Sequence, residues 1–312
     1  MTQRSDRLAF GFMCSPGHDP ISELEAMPID SLWVGGHVAS PNPTPEAMMQ
    51  LARLSAMTER VRIGTAILLL PLYAPAIVAK QIADLDRASS GRVTLGVGVG
   101  GEYAQEFEAC GVPLASRGSR TDEAIPLIRQ LWSGEPVRHS GRHYAFNDVR
   151  IHPAPSQSGG PPIIVAGRQP VAMRRAARLG DGWMPYLYSA RRYAESVASI
   201  EQSAAEIGRD LSSFEWFAFV FVNIGDDAEH ARRELASYLG GTYRQDFAEM
   251  VDRVAVAGSR AEVVDKLAAF ADAGARHFIL AVASREEPSR RRIVEELVGG
   301  VCPQLRGGWI PT

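Results

Sequence analysis

Cysteine is scarce in this chain of 312 residues: Cys14, Cys110 and Cys302 are odd in number and far apart. They offer neither a disulfide framework nor a metal-ligand spacing, so no metal is expected, and the usage suits a reducing cytoplasm. Long apolar runs are lacking too. Residues 63–79 are uncharged, but Gly64, Pro71 and Pro75 interrupt them, and the stretch reads as a strand followed by a helix start, not a membrane span. No secretory signal is read in the polar 1–6 segment or the short apolar run 8–14. Basic runs interleaved with aromatics are missing, and the formal net charge is −3, which excludes nucleic acid as an expected partner. Phosphate-loop, zinc-helix and nucleophile-elbow patterns are absent, as are fixed-period repeats and low-complexity tracts.

What is present is alternation. The chain is 46% hydrophobic, enough for a sizeable core. Its β-branched apolar runs trade places with amphipathic helical patterns. Strands are expected at 8–14, 31–35, 61–70, 93–99, 162–166, 182–187, 214–224 and 277–282. Helices are expected at 22–27, 45–58, 75–88, 119–132, 171–179, 191–207, 260–273 and 286–298. Eight strand–helix units predict an α/β fold, a (β/α)8 TIM barrel formed as one domain over 1–312. The structural competitor is an open doubly wound sheet. Two insertions are expected, near 133–160 and 225–255. The second follows the seventh strand on the catalytic side and looks helical over 232–250, as a mobile lid or as a decoration.

The run 93–101, Val-Thr-Leu-Gly-Val-Gly-Val-Gly-Gly, ends a strand in glycines that let backbone turn with positive φ and approach a ligand. Gly96, Gly98 and Gly101 satisfy the dinucleotide fingerprint. That fingerprint belongs in a first strand–helix turn, with an acid ending the next strand, whereas here several units precede it. The run is read as a ligand-cradling loop within a longer series.

Candidate chemistry sits at strand ends. His37, beyond the second strand, either handles a proton or clamps an anion, or is a loop histidine bonded to backbone. Glu102 follows the glycines and Glu106 lies four residues on; both are acids favouring a helix N-terminus, or Glu102 is an acid–base group. Ala166-Gly167-Arg168 ends the fifth strand before a helix, where backbone N–H groups bind phosphate and an arginine adds charge. Asp181-Gly182-Trp183 is read as structural. His139, His143 and His152 are surface or hairpin residues.

Taken in order, these segments resemble the bacterial luciferase-like flavin and deazaflavin oxidoreductases. The likeness runs through the His37 region, Gly64-Thr65-Ala66-Ile67, Pro75 to Gln81, Ser90-Gly91-Arg92, the glycine run, Glu106-Phe107-Glu108-Ala109, Gly111-Val112-Pro113, Arg117, Asp122-Glu123, Leu131-Trp132, Pro161-Pro162-Ile163 and Ala176 to Trp183. It is closer to the branch using coenzyme F420, an 8-hydroxy-5-deazaflavin. The resemblance implies a flavin-like ring at the barrel mouth and a non-prolyl cis peptide joining Ala66 and Ile67 behind it. It implies Gly36, Val99, Gly100 and Gly101 against the cofactor, Ala166, Gly167 and Arg168 at its phosphate, and His37 beside the reactive carbon; Glu102, one residue late for the family's glutamate, stays a catalytic candidate from the residues alone.

There are departures from the family pattern. Gly36 replaces an acid often found there, Gly101 stands where the sugar-phosphate dehydrogenases place a glutamate, and Ala166 replaces a glycine. The expectation is an F420-dependent oxidoreductase acting on a small organic molecule, as a homodimer. The alternatives are an FMN-dependent monooxygenase fed by a partner reductase, a non-catalytic flavin-binding protein, and a nicotinamide dehydrogenase on an open sheet.

Overall fold

The computed structural model describes residues 7–308, so the polar 1–6 segment lies outside the described residues. Strands and helices alternate along it. The strands are β1 (Ala9–Met13), β2 (Ser31–Val34), β3 (Arg62–Thr65), β4 (Leu68–Leu69), β5 (Val93–Gly98), β6 (Val137–Ser140), β7 (Ala145–Val149), β8 (Ile163–Ala166), β9 (Gly182–Met184), β10 (Glu215–Ile224), β11 (Val256–Gly258) and β12 (His277–Val282). Chain contacts divide the protein into two compact units: residues 14–25 with 32–183, and residues 7–13 with 26–31 and 184–308.

In the first unit the strand order is β2-β3-β5-β8-β9. Strand β5 pairs parallel with β3 (Ile63 opposite Val93), with β4 (Leu68 opposite Val97) and with β8 (Leu95 opposite Ile163). β2 and β5 are buried along their whole length, as parallel strands covered on both faces must be, and this explains their near-continuous apolar runs. Helices Pro75–Ala88 and Pro170–Leu179 begin with proline, whose missing N–H costs nothing in a first turn.

Two expectations change here. The expected strand 61–70 is two strands, because a cis peptide joins Ala66 to Ile67 between β3 and β4. The helix expected at 45–58 spans Ala47–Met57 and is capped by Glu46, whose side chain accepts from Met48 and Met49 N–H. The 133–160 insertion holds an antiparallel hairpin, β6 and β7. The Glu123 carboxylate pins it, accepting from His139 Nε2 at 3.0 Å and from the His143 and Tyr144 N–H groups at 3.0 Å each.

In the second unit the order is β11-β10-β12-β1, all parallel. The insertion after β10 forms helix Ala228–Tyr243, not one over 232–250; Arg244 closes it in the left-handed region at φ 53°. A short helix Val251–Val254 then leads into β11, which extends the sheet. The long helix is tied down: Glu234 accepts from Asn223 Nδ2 (3.0 Å) and Ser284 Oγ (2.5 Å). Among the described residues no helix is long and apolar enough to cross a membrane.

Candidate active site

The site grows from the loop after β2. A Cβ on Gly36 would stand 2.1 Å from the Pro45 carbonyl oxygen and 2.6 Å from the Ala47 nitrogen, so only glycine lets this loop lie against the start of helix Ala47–Met57. His37 N–H donates to that same Pro45 oxygen at 3.2 Å. Glu46, which caps the helix, also accepts the Tyr73 hydroxyl hydrogen. Burial, and then the Glu46 carboxylate, push the Tyr73 phenol far above its ordinary value, so Tyr73 stays a protonated donor and the loop is held at both ends.

His37 itself meets a carboxylate. Its Nδ1 lies 3.2 and 3.3 Å from the two oxygens of Glu106, whose side chain is fully buried, while the His37 side chain is 24% exposed. Val38 N–H reaches the same carboxylate at 3.3 Å, and the Tyr103 ring stands edge-on at 5.1 Å. With the carboxylate accepting, the hydrogen sits on Nδ1 and Nε2 is the nitrogen left to exchange a proton. Burial and the Glu106 charge both raise the nearby Cys110 thiol, so Cys110 is held as a thiol.

The glycine run divides into two kinds of residue. Gly96 and Gly98 are strand residues of β5. A Cβ on Gly96 would come 2.0 Å from the Thr65 carbonyl oxygen, and one on Gly98 would come 2.3 Å from Ile67 Cδ1. They are small because the chain around the cis link packs on them, and this accounts for the apparent dinucleotide fingerprint. Ala66 N–H donates to Val34 O at 2.7 Å, and Thr65 Oγ1 to Gly96 O at 2.7 Å. The cis link is thereby joined to both β2, which delivers His37, and β5. Gly100 and Gly101 do turn with positive φ, 62° and 108°, and Gly101 lies against the Arg117 side chain. Val99, between the two kinds, is half-buried.

At the end of β8, Ala166, Gly167 and Arg168 are all half-buried. Gly167 has φ 142°, and its carbonyl accepts from the Trp183 indole at 2.9 Å. Helix Pro170–Leu179 follows, with no side chain capping its N-terminus, an arrangement suited to an anion. Asp181 is structural, as read: it accepts from Ile163 N–H at 2.8 Å and from Arg129 at 2.6 Å.

Of the expected residues, Gly36, His37, Ala66, Ile67, Val99, Gly100, Gly101, Ala166, Gly167 and Arg168 all belong to the first unit, at or just past the C-terminal ends of β2, β3, β5 and β8. Glu102 stands apart. It is exposed and precedes Tyr103, the N-cap of helix Ala104–Ala109, and the acid brought to His37 is Glu106, one turn later. The signal for it was present: an acid beside Phe107 on a short helix, on the face that is buried. Among the described residues no three His, Cys, Asp or Glu side chains gather as a metal set.

Comparison with known proteins adds what geometry alone does not give. The luciferase-like monooxygenase family model matches residues 21–277. An uncharacterised protein of Mycobacterium tuberculosis is 41% identical over 46% of this chain, a match spanning about half (48%) of that relative. An F420-dependent glucose-6-phosphate dehydrogenase of Beutenbergia cavernae is 35% identical over 65% of this chain and 62% of its own length. A 4-hydroxyprotoasukamycin monooxygenase of Streptomyces nodosus subsp. asukaensis is 29% identical over 83% and 81%. Among solved structures, an F420-dependent secondary alcohol dehydrogenase aligns with a TM-score of 0.83 at 22% identity, over 95% of this chain and 99% of that one. The oxygenating constituent of 3,6-diketocamphane monooxygenase from Pseudomonas putida, with FMN, aligns at 0.78 and 20% identity, over 96% and 98%. The structural likenesses give the fold as the (β/α)8 barrel class and remove the open-sheet alternative. The family model matches most of the chain, and this protein belongs to the luciferase-like monooxygenase family.

Proposed function

We propose that this enzyme is an F420-dependent oxidoreductase that moves a hydride between the deazaflavin ring and a small organic substrate. The observation that carries the reading is the His37–Glu106 pair, a partly exposed imidazole whose Nδ1 is held by a fully buried carboxylate, in the same unit as the cis link and the glycine turn. The residues fit a flat ring with an anionic tail. Gly100, Gly101 and Gly167 present backbone without side chains, and the uncapped N-terminus of helix Pro170–Leu179 favours negative charge. Ala66 and Ile67 would lie behind the ring, with Gly36 and Val99 beside it. Ala166, Gly167 and Arg168 would hold the phosphate.

A bound deazaflavin supplies a ring carbon that exchanges hydride and reacts poorly with oxygen. The chain supplies the rest. Glu106 fixes the imidazole rotamer and tautomer, and His37 Nε2 takes the proton a substrate releases as it is oxidised, or returns it in the reverse direction. The functional assembly proposed is a homodimer, to be read by sedimentation.

A second reading is favoured by the monooxygenase relative aligned over 83% of this chain: an FMN-dependent monooxygenase drawing reduced flavin from a partner reductase. Anaerobic mixing of the F420-loaded protein with alcohols and ketones separates the two. A substrate-dependent change in deazaflavin absorbance supports the dehydrogenase. Oxygen uptake that requires reduced FMN and substrate overturns it.

A further inference from the structure

One short helix meets His37 twice. Gly100 and Gly101 turn the chain with positive φ, and helix Ala104–Ala109 follows after two residues. A Cβ on Gly100 would stand 3.1 Å from Leu69 Cδ2 and 3.2 Å from Phe107 Cζ, so the bare backbone there lets Phe107 pack back on the turn that leads into its own helix. Gly111, at φ 65°, ends the segment, and Val112 N–H donates to Phe107 O at 2.9 Å. Phe107 is buried and anchors the helix. Glu106, beside that anchor, reaches His37 Nδ1. Tyr103, three residues before Glu106 and so near it across the first turn, sets its ring edge-on to the same imidazole, 5.1 Å away with planes 64° apart.

The carboxylate alone does not fix the imidazole. Its two oxygens lie 3.2 and 3.3 Å from Nδ1, so one hydrogen is shared between them at the long end of N–H···O distances. One of those oxygens also accepts from Val38 N–H. A shared, long bond restrains Nδ1 and leaves the ring free to tilt about it. A second contact, on the ring itself, is needed to set its plane, and the edge-on approach of Tyr103 is a favourable one for two such rings. The backbone leaves Tyr103 available for this. It is an N-cap with extended φ and ψ, −119° and 106°, and its side chain makes no capping hydrogen bond. It is half-buried, whereas its neighbours Glu102, Ala104 and Gln105 are exposed.

We propose that Tyr103 is a positioning residue for His37. Glu106 holds Nδ1 and Tyr103 holds the plane of the ring, so that Nε2 keeps one direction for proton exchange. The residue after the glycine turn that serves the histidine is then the tyrosine and not Glu102. The inference rests on the proton-handling role proposed for His37 and deepens it.

The test compares Tyr103→Leu and Tyr103→Phe with the wild-type full chain, free of cofactor. Carbethoxylation of His37 by diethyl pyrocarbonate, followed by peptide mass spectrometry, reads how freely the imidazole moves. Tyr103→Leu should react at His37 about two- to tenfold faster, the factor that an edge-on aromatic contact is worth. Tyr103→Phe, which keeps the ring, should restore the wild-type rate. Nitrogen NMR of labelled histidine should show the hydrogen of His37 on Nδ1 in the wild type and Tyr103→Phe, and divided between both nitrogens in Tyr103→Leu. Fluorescence titration with F420 should give the same affinity for all three, which shows that the variants fold. An unchanged His37 rate and tautomer in Tyr103→Leu, or a change that Tyr103→Phe shares, overturns the proposal. A loss of F420 affinity with His37 unchanged makes Tyr103 a cofactor contact and overturns it too. Failure of the wild-type chain to bind F420 strikes the cofactor reading instead, and the two cofactor-free measurements still decide on Tyr103.

Discussion

Two histidine–carboxylate pairs occupy the same unit and are built differently. His37 faces Glu106 at 3.2 Å and His139 faces Glu123 at 3.0 Å, and the two imidazoles are nearly equally exposed, 24% and 22%. The difference lies in which nitrogen is spent and what else the carboxylate holds. His139 uses Nε2 on a carboxylate that also gathers the N–H groups of His143 and Tyr144, so the pair clamps a hairpin to helix Arg117–Leu131. His37 uses Nδ1, in a loop after a strand end, and in the proposed mechanism its Nε2 handles the proton. A histidine beside an acid is therefore no signature of catalysis by itself. Its position on the fold and which ring nitrogen meets the carboxylate are what separate the two.

Substitutions sharpen the contrast. His37→Ala should lower turnover by roughly 10²–10⁴ while cofactor affinity holds; His139→Ala should leave turnover within about twofold. Equal losses from both would break the distinction, as single-turnover absorbance traces will show. Next in size, Glu106→Gln should cost about 10–100-fold in kcat with KM and cofactor binding little changed, as expected for a group that orients another. Should KM move and kcat stay, Glu106 is shaping the pocket and not the imidazole.

Smaller effects fall on the clamp. His139→Ala should lower stability by about 1 kcal/mol, the worth of one partly buried hydrogen bond, read by urea unfolding.

Glu123 gives the clamp a pH signature. Burial acts to raise its carboxyl, but the hydrogen bonds from His139, Tyr144 and His143 prevail and hold it below its ordinary 4.5. A carboxyl lowered on folding adds stability that is fully present above the unfolded value and is lost as pH falls through the folded one. Unfolding followed from pH 6 down to pH 3 should therefore show an acid limb that is shallower in Glu123→Gln. An identical limb would show that the hairpin carboxylate does not govern it.

Much of the fold was legible because alternation of buried strands and amphipathic helices leaves a direct trace in the order of residues. Strand β12 and helix Pro75–Ala88 fall where their patterns put them. What escaped depends on contacts distant in sequence. The 61–70 run has no breaker at Ala66–Ile67, so its division into β3 and β4 was not visible in local pattern; only the family resemblance suggested the cis link. Gly96 and Gly98 looked like ligand glycines, and their actual reason is the closeness of Thr65 and Ile67, about thirty residues earlier. Glu106 was weighed as a helix-end acid because nothing in its neighbourhood announces a histidine 69 residues away. Strand β11, three residues long, is too short to show a period.

The central claim is that the turn of Gly100 and Gly101, the Ala66–Ile67 link and the end of β8 seat a deazaflavin beside His37. Fluorescence titration of the purified protein with oxidised F420 and with FMN, side by side, tests it most directly. The account predicts saturable F420 binding at least tenfold tighter than FMN. Tighter binding of FMN, or no binding of F420, would contradict it.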